Sequence, residues 1–208
     1  MNSHLLMNSE AISIIVRVSS LMHAGNVFNN YMQQNLDKKE LILVHNNPLE
    51  DFDQWVHSSG LYPMTRVYQL DDDKSLGECL NYCTERAIFE NIAIFQEMHQ
   101  YEPEYLSSSL REMYLHSAEV TGKKTYFSQC GKEEPLTLVN PGFEKSFTDR
   151  VILPTFIFRR ELFDSISSKG IRFNNSNEDL DAKFCEDCRN NGCRIYSNDT
   201  AGFRYRCL

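Results

Sequence analysis

Four stretches of this 208-residue chain gather side chains able to do chemistry. Gln96-Glu97-Met98-His99 follows the apolar run Asn91-Ile-Ala-Ile-Phe95, and Pro103 stands where the first turn of a helix would begin. The short run, its abrupt polar stop and the proline predict a strand, a polar elbow and a helix. In an open α/β sheet, ligands bind beyond the carboxyl ends of the strands, which makes this elbow the first place to look for a site. Asp71-Asp72-Asp73 is the second stretch, but Ser75 and Glu78 behind it have capping-box spacing, and carboxylates before a helix suit its dipole. A helix start therefore outweighs a metal site there. Third, Cys185, Cys188 and Cys193, with Cys207 further on, have part of the spacing of a zinc knuckle. Leu180, Phe184 and Cys188 recur every four residues as an apolar helix stripe, so the seven cysteines read as reduced thiols in small apolar sites. Fourth, Asn177-Glu178-Asp179 opens a helix, where Asn177 or Asp179 could cap and early carboxylates favour the dipole.

The elements that must position these residues alternate regularly up to about Ser117. AISIIVRV (11–18) and ELILVH (40–45) are near-continuous apolar runs suited to strands covered on both faces. Thr65 to Leu70 is a third strand and 91–95 a fourth. Helices are predicted over Asn26 to Asn35, with Val27, Phe28, Tyr31 and Met32 on one face; around Phe52, Trp55 and Val56; on the stripe Leu76, Cys79, Leu80, Cys83, Ala87; and from Pro103 through Leu106, Leu110, Met113 and Tyr114. Such alternation implies a mainly parallel sheet with helices on both faces.

Beyond residue 117 the character changes. Val120 to Gln129 and Leu136 to Val139 look like strands joined around Gly131-Lys132, an antiparallel addition. VILPTFIF (151–158) is a strand whose Pro154 demands an edge, bulge or break. A short helix over Arg159 to Ser165, a longer one from Glu178 to Asn190 ended by Gly192, and short strands at Arg194 to Tyr196 and Phe203 to Cys207 complete the chain. The last strand ends almost at the final residue, which leaves open a longer protein.

The totals narrow the class of function. With 41% hydrophobic and 24% charged residues the chain reads as one ordinary globular domain. Twenty-one basic residues against 29 acidic give a net charge of −8, which argues against a nucleic-acid or anionic-membrane surface. No apolar run reaches a membrane span, and MNSHLLMNSE lacks the basic start and apolar core of a signal peptide, so the expected location is the cytoplasm.

These residues resemble the family 2 glycosyltransferases of the GT-A fold, and within them the bacterial members associated with maturation of the endospore surface. The resemblance rests on ISIIV (12–16), ELILV (40–44), LGECLN (76–81), Tyr101-x-Pro103-x-Tyr105-Leu106, Gly122-Lys123, Asn177-Glu178-Asp179, Asp187-Cys188, Gly192 and Ile195-Tyr196. It implies one GT-A domain with a nucleotide-binding half (1–117) and an acceptor-binding half (118–208). It implies inverting transfer of a sugar from a nucleotide-diphosphate sugar to a hydroxyl of a spore-surface glycan or glycoprotein. Arg17 and Ser19 at the end of the first strand, and His45, Asn46 and Asn47 at the end of the second, match positions that hold the nucleotide. Gly77 and Asn81 match the helix beside the donor. Asp179 matches the base that takes the acceptor proton, with Glu178 orienting it.

The family's Asp-x-Asp motif falls on Gln96 and Met98, and this departure bears on metal dependence. Hard Mg²⁺ and Mn²⁺ want oxygen ligands, for which a thioether substitutes poorly. Glu97 and His99 are ligand-capable; a one-residue shift of the elbow would present them together, to Mn²⁺ or Zn²⁺ rather than Mg²⁺. Without it, Arg17, Lys123, Arg159 and Arg160 are the cations available to neutralise a leaving diphosphate. The alternatives are thus an active enzyme with a weak metal site or none, or a silent relative serving as a binding or assembly module in the outer layer of the spore. A dinucleotide enzyme ranks below both, because no Gly-x-Gly-x-x-Gly follows the first strand.

Overall fold

The computed structural model describes residues 11–48, 51–131, 133–164 and 169–207. The stretch read for a signal peptide, Lys132 of the expected turn and Ser165 at the end of the expected short helix lie outside the described residues. Four parallel strands, β1 (Ile12–Val18), β2 (Lys39–His45), β3 (Thr65–Gln69) and β4 (Asn91–Gln96), stand in the order β3-β2-β1-β4. Their crossovers carry α1 (Ala24–Met32), α2 (Phe52–Ser59) and α3 (Leu76–Arg86). The chain continues through β5 (Gln100–Tyr101), α4 (Tyr105–Leu115), β6 (Val120–Gly122), β7 (Tyr126–Gln129), β8 (Thr137–Val139), β9 (Ser146–Phe147), β10 (Ile157–Arg159), α5 (Leu180–Asn190), β11 (Ile195–Ser197) and β12 (Phe203–Arg206).

Beyond β4 the large sheet runs β10-β6-β11-β9, with β10 antiparallel to both of its neighbours and β9 antiparallel to β11. A second sheet, β5-β12-β7-β8, is mainly antiparallel; β12 and β7 are its parallel pair. This mixed α/β arrangement is the one the alternation predicts. The continuous apolar runs of β1 and β2 follow from burial on both faces. Ile14, Val16, Leu41 and Leu43 pack on one side with Phe28, Tyr31, Leu106 and Leu110 of α1 and α4. Ile15, Ile42 and Val44 pack on the other with Leu80 of α3 and Phe184 of α5.

Several expectations need correction. Val120 to Gln129 is two strands in two sheets, parted after Gly122, where Thr155 packs so closely that a Cβ would lie 2.8 Å from its hydroxyl. Pro154 breaks its segment into a 3₁₀ turn, Leu153–Thr155, followed by the short β10. Met32 and Val56 are exposed, not core residues of their helices. Cys130 and Cys207 form a disulfide between the ends of the parallel neighbours β7 and β12, which overturns the reading of all seven cysteines as thiols and removes Cys207 from any zinc set. No helix among the described residues is long and apolar enough to cross a membrane.

At the opposite end of the sheet from the elbow, Glu40 is a carboxylate with 1% exposure. It is held by the Ser13 hydroxyl, by the Ile88 amide at 2.7 Å and by an ion pair with Arg66. A buried charge is tolerated only when its lone pairs are met. Removing the cation with Arg66→Ala is expected to cost about 2 kcal/mol of stability in urea unfolding, the scale of one hydrogen bond to a charged group.

Candidate active site

The carboxyl ends of β1 and β4 lie side by side, with Arg17 opposite Gln96 in register. Between them, under the first turn of α3, is a cleft of about 140 Å³ lined by Arg17, Leu76, Leu80, Ile94, Phe95, Gln96, Glu97, Met98 and Leu153. The structure therefore places the polar elbow at the mouth of a cavity where an open α/β sheet binds ligands.

Its polar residues form two neighbouring hydrogen-bonded sets. Arg17 donates from Nε and Nη2 to Asn46 Oδ1 at 3.1 and 3.0 Å, and the Asn46 amide donates to the Lys74 carbonyl at 2.7 Å. Glu97 accepts from the Ser19 amide at 2.8 Å and from the Ser19 hydroxyl. Asn47 donates its side-chain amide to the Ser19 carbonyl at 3.1 Å and its backbone amide to His45 Nδ1 at 3.2 Å. His45 is fully buried and faces Phe52, so it supports the second set from below.

The elbow is a tight turn closed from the His99 amide to the Gln96 carbonyl. Its backbone is anchored by α1: Asn26 donates to the carbonyls of Glu97 (2.7 Å) and His99 (2.9 Å), and Asn30 donates to His99 (2.9 Å). Gln33 and Gln34 continue the row onto Tyr101 and Glu102, and Gln34 accepts from the Leu106 amide. Sequence reasoning missed these four residues. The available signal was amide side chains at i, i+4, i+7 and i+8 beside an apolar face.

This turn separates Glu97 from His99. The imidazole, 3% exposed, lies against Tyr205 and Phe203, and its Nδ1 accepts the Arg206 amide at 3.2 Å. Burial, with Arg206 adding to it, lowers its pKa to about 4. One candidate ligand is thus a neutral core histidine and the other is already engaged by Ser19. With Gln96 and Met98 at the two remaining positions, the elbow does not fit a hard divalent cation. Among the described residues no three His, Cys, Asp or Glu side chains are grouped to hold a metal.

Gly77 and Asn81 serve the chain itself. Asn81 exchanges two hydrogen bonds with the backbone of Phe173, at 2.8 and 2.9 Å. A Cβ on Gly77 would lie 1.8 Å from the Asn174 carbonyl oxygen, and the Gly77 amide donates to Ser176 at 3.0 Å. The Asn177 side chain accepts from the Leu76 amide at 2.8 Å, so Asn177 caps α3 instead of the helix that follows it. The glycine lets the 173–177 segment lie directly on α3, where Asn177 meets Leu76, a residue that lines the cleft. Glu178 and Asp179 follow it in the chain, both exposed. Asp179 has the left-handed φ of +53° and its side chain makes no capping hydrogen bond, so its carboxylate is not consumed by the helix start.

Of the four cations considered for charge neutralisation, only Arg17 lines the cleft. Lys123 is buried against Asp199, with a pKa lowered by burial to about 8. Arg159 lies over Tyr114 and pairs with Glu161, and Arg160 donates to the Ala87 carbonyl. The Asp71–Asp73 triplet is exposed and leads into the observed Ser75–Glu78 capping box.

No family model matches this chain, and no curated protein matches it in sequence. Solved structures do match in shape. S. aureus TarS 1-349 in complex with UDP-GlcNAc superposes with a TM-score of 0.74 at 18% identity, covering 95% of this chain and 59% of that one. TarS 1-349 in complex with UDP gives 0.72 at 18% identity, with 94% and 60% covered. The longer TarS structure gives 0.72 at 20% identity, with 94% and 36% covered. The chain thus spans about three-fifths of TarS 1-349. At this identity the likeness shows the fold, which is the GT-A glycosyltransferase fold.

Two outcomes test this geometry. Gly77→Ala forces the 173–177 segment off α3 and is expected to cost about 2 kcal/mol in urea unfolding, the scale of overpacking. His99 binds protons less readily folded than unfolded, so its contribution to stability is complete above pH 6.5 and lost as pH falls towards 4. Over that window the chain is expected to lose about 3 kcal/mol more than His99→Phe, measured by urea midpoints at each pH.

Proposed function

We propose that this chain is a glycosyltransferase that moves a sugar, with inversion, from a nucleotide-diphosphate sugar to an acceptor hydroxyl. The observation that carries the reading is a cleft at the carboxyl ends of β1 and β4 whose lining residue Leu76 is hydrogen-bonded to Asn177, two residues before an exposed Asp179 carboxylate that makes no capping hydrogen bond. The likeness in fold to TarS, solved with UDP and with UDP-GlcNAc, supports a nucleotide-sugar donor. Residues 1–117 hold the nucleotide and 118–208 the acceptor.

In this reading the acceptor oxygen attacks the anomeric carbon, its proton passes to Asp179, and the bond to the diphosphate breaks. Glu178, its neighbour in the chain, orients the acceptor. Arg17 meets the charge that develops on the leaving group: Nε and Nη2 are turned to Asn46, which leaves Nη1 to donate to a diphosphate oxygen. Ser19, Asn46 and Asn47 shape the nucleotide end, with His45 beneath them, and Gln96 and Met98 face the sugar-diphosphate. The acceptor is a glycan or glycoprotein of the spore surface, in line with the resemblance carried by the strand and helix motifs. Transfer needs no divalent ion, because the elbow's donor atoms do not suit one.

The test pairs calorimetry with turnover. Titration with UDP, GDP and dTDP and their sugars is expected to show binding that is indifferent to Mn²⁺. Arg17→Met should weaken that binding about tenfold, the value of one charge-assisted hydrogen bond. Asp179→Asn should leave it within about twofold while lowering kcat by at least about a hundredfold. Full turnover by Asp179→Asn would remove it as the base, and no binding of any nucleotide by folded protein would favour a silent assembly module.

A further inference from the structure

Helix α5 ends in a turn that does something unusual with two thiols. The Gly192 amide donates to the Arg189 carbonyl at 2.9 Å, and the Cys193 amide donates to the Cys188 carbonyl at 2.9 Å. Gly192 has φ +71°. This is the Schellman closure, in which the residue after the left-handed glycine folds back onto the side chain five residues earlier. That contact is ordinarily hydrophobic. Here both partners are cysteines, Cys188 and Cys193, joined through their backbones at 2.9 Å and both buried. A further group points at Cys193 from outside the helix: Lys169 Nζ lies 3.3 Å from Cys193 Sγ.

We propose that Cys188 and Cys193 form a redox-active dithiol, with Lys169 as the counter-charge that makes Cys193 the nucleophile. The two cysteines are unequal. Cys188 is fully buried, whereas Cys193 keeps 6% exposure and faces the lysine. The neighbouring Cys188 thiol, with Lys169 adding to the effect, holds the Cys193 thiol below the usual range, while burial and Glu119 oppose it. Cys188 is raised, first by its neighbour Cys193 and by burial, then by Cys185 and Asp187. The remaining free thiols, Cys79, Cys83 and Cys185, are all raised by burial. Thiolate character governs reactivity, so Cys193 is the free cysteine prepared to react.

The oxidant is hydrogen peroxide. The Cys193 thiolate attacks one peroxide oxygen; an S–O bond forms, the O–O bond breaks, and hydroxide leaves and is protonated to water. The resulting sulfenic acid is attacked by Cys188; the S–S bond forms, the S–O bond breaks, and the departing hydroxide takes the Cys188 proton as a second water. Two thiols are oxidised by two electrons and one peroxide is reduced to two waters. The product staples the carboxyl end of α5 to the approach of β11.

The test uses the full chain and no transferase assay. Peroxide treatment followed by alkylation and peptide mass mapping should show a Cys188–Cys193 disulfide, and Cys188→Ser should leave Cys193 as a sulfenic acid trapped by dimedone. Iodoacetamide should label Cys193 first, with a rate midpoint below that of an ordinary thiol. Lys169→Met, a change outside the helix and strands, should raise that midpoint and slow labelling at pH 7 by at least about threefold. Labelling of Cys193 no faster than of Cys79, an unchanged rate in Lys169→Met, or peroxide treatment that yields no Cys188–Cys193 disulfide would overturn the proposal.

Discussion

A polar turn at the end of a buried sheet needs partners for its carbonyls, and a row of side-chain amides on and just beyond α1 supplies them. Asn26 and Asn30 hold the elbow, and Gln33 and Gln34, just past the end of α1, hold Tyr101, Glu102 and the helix start that follow it. Four carbonyls and two amides, those of Tyr101 and Leu106, are satisfied this way. The row sets the backbone of 97–106 against the core, and with it the floor of the cleft. The same anchoring turns His99 inward, beneath β12, and leaves Glu97 to Ser19. The elbow is ordered by the protein's own hydrogen bonds and does not require a bound ion to shape it.

The second constraint is steric. Gly77 lets a carbonyl of the 173–177 segment pass where a methyl group would stand, and Asn81 and Asn177 seal the contact from both sides. A segment from the second half of the chain is thereby fastened to a helix of the first, a hundred residues away. Exposed carboxylates on an isolated loop would be solvated and mobile. Following directly on the fastened Asn177, Glu178 and Asp179 are tied to the start of α3. The glycine and asparagine that resemble donor-site residues act by placing this segment.

Charge is distributed economically. Buried Glu40 and Lys123 are each matched by partners away from the cleft. The cleft itself keeps a single guanidinium, aimed by Asn46. Preorganised charge of this kind can act on an anionic ligand without reorganisation.

The sequence by itself determined the alternation of strands and helices, because apolar runs and stripes are local patterns whose periods differ between the two structures. It also determined the capping box at Ser75 and Glu78, since that motif closes within four residues. Tertiary structure alone decided what the site residues face. Whether Glu97 and His99 meet depends on a turn held by α1, some seventy residues earlier. Whether Gly77 touches a nucleotide or its own chain depends on where residue 174 passes. The split of 120–129 between two sheets falls where Thr155 packs against Gly122, and the Cys130–Cys207 bond depends on β12 lying beside β7. Each of these is a contact between residues far apart in the chain, which no local period encodes.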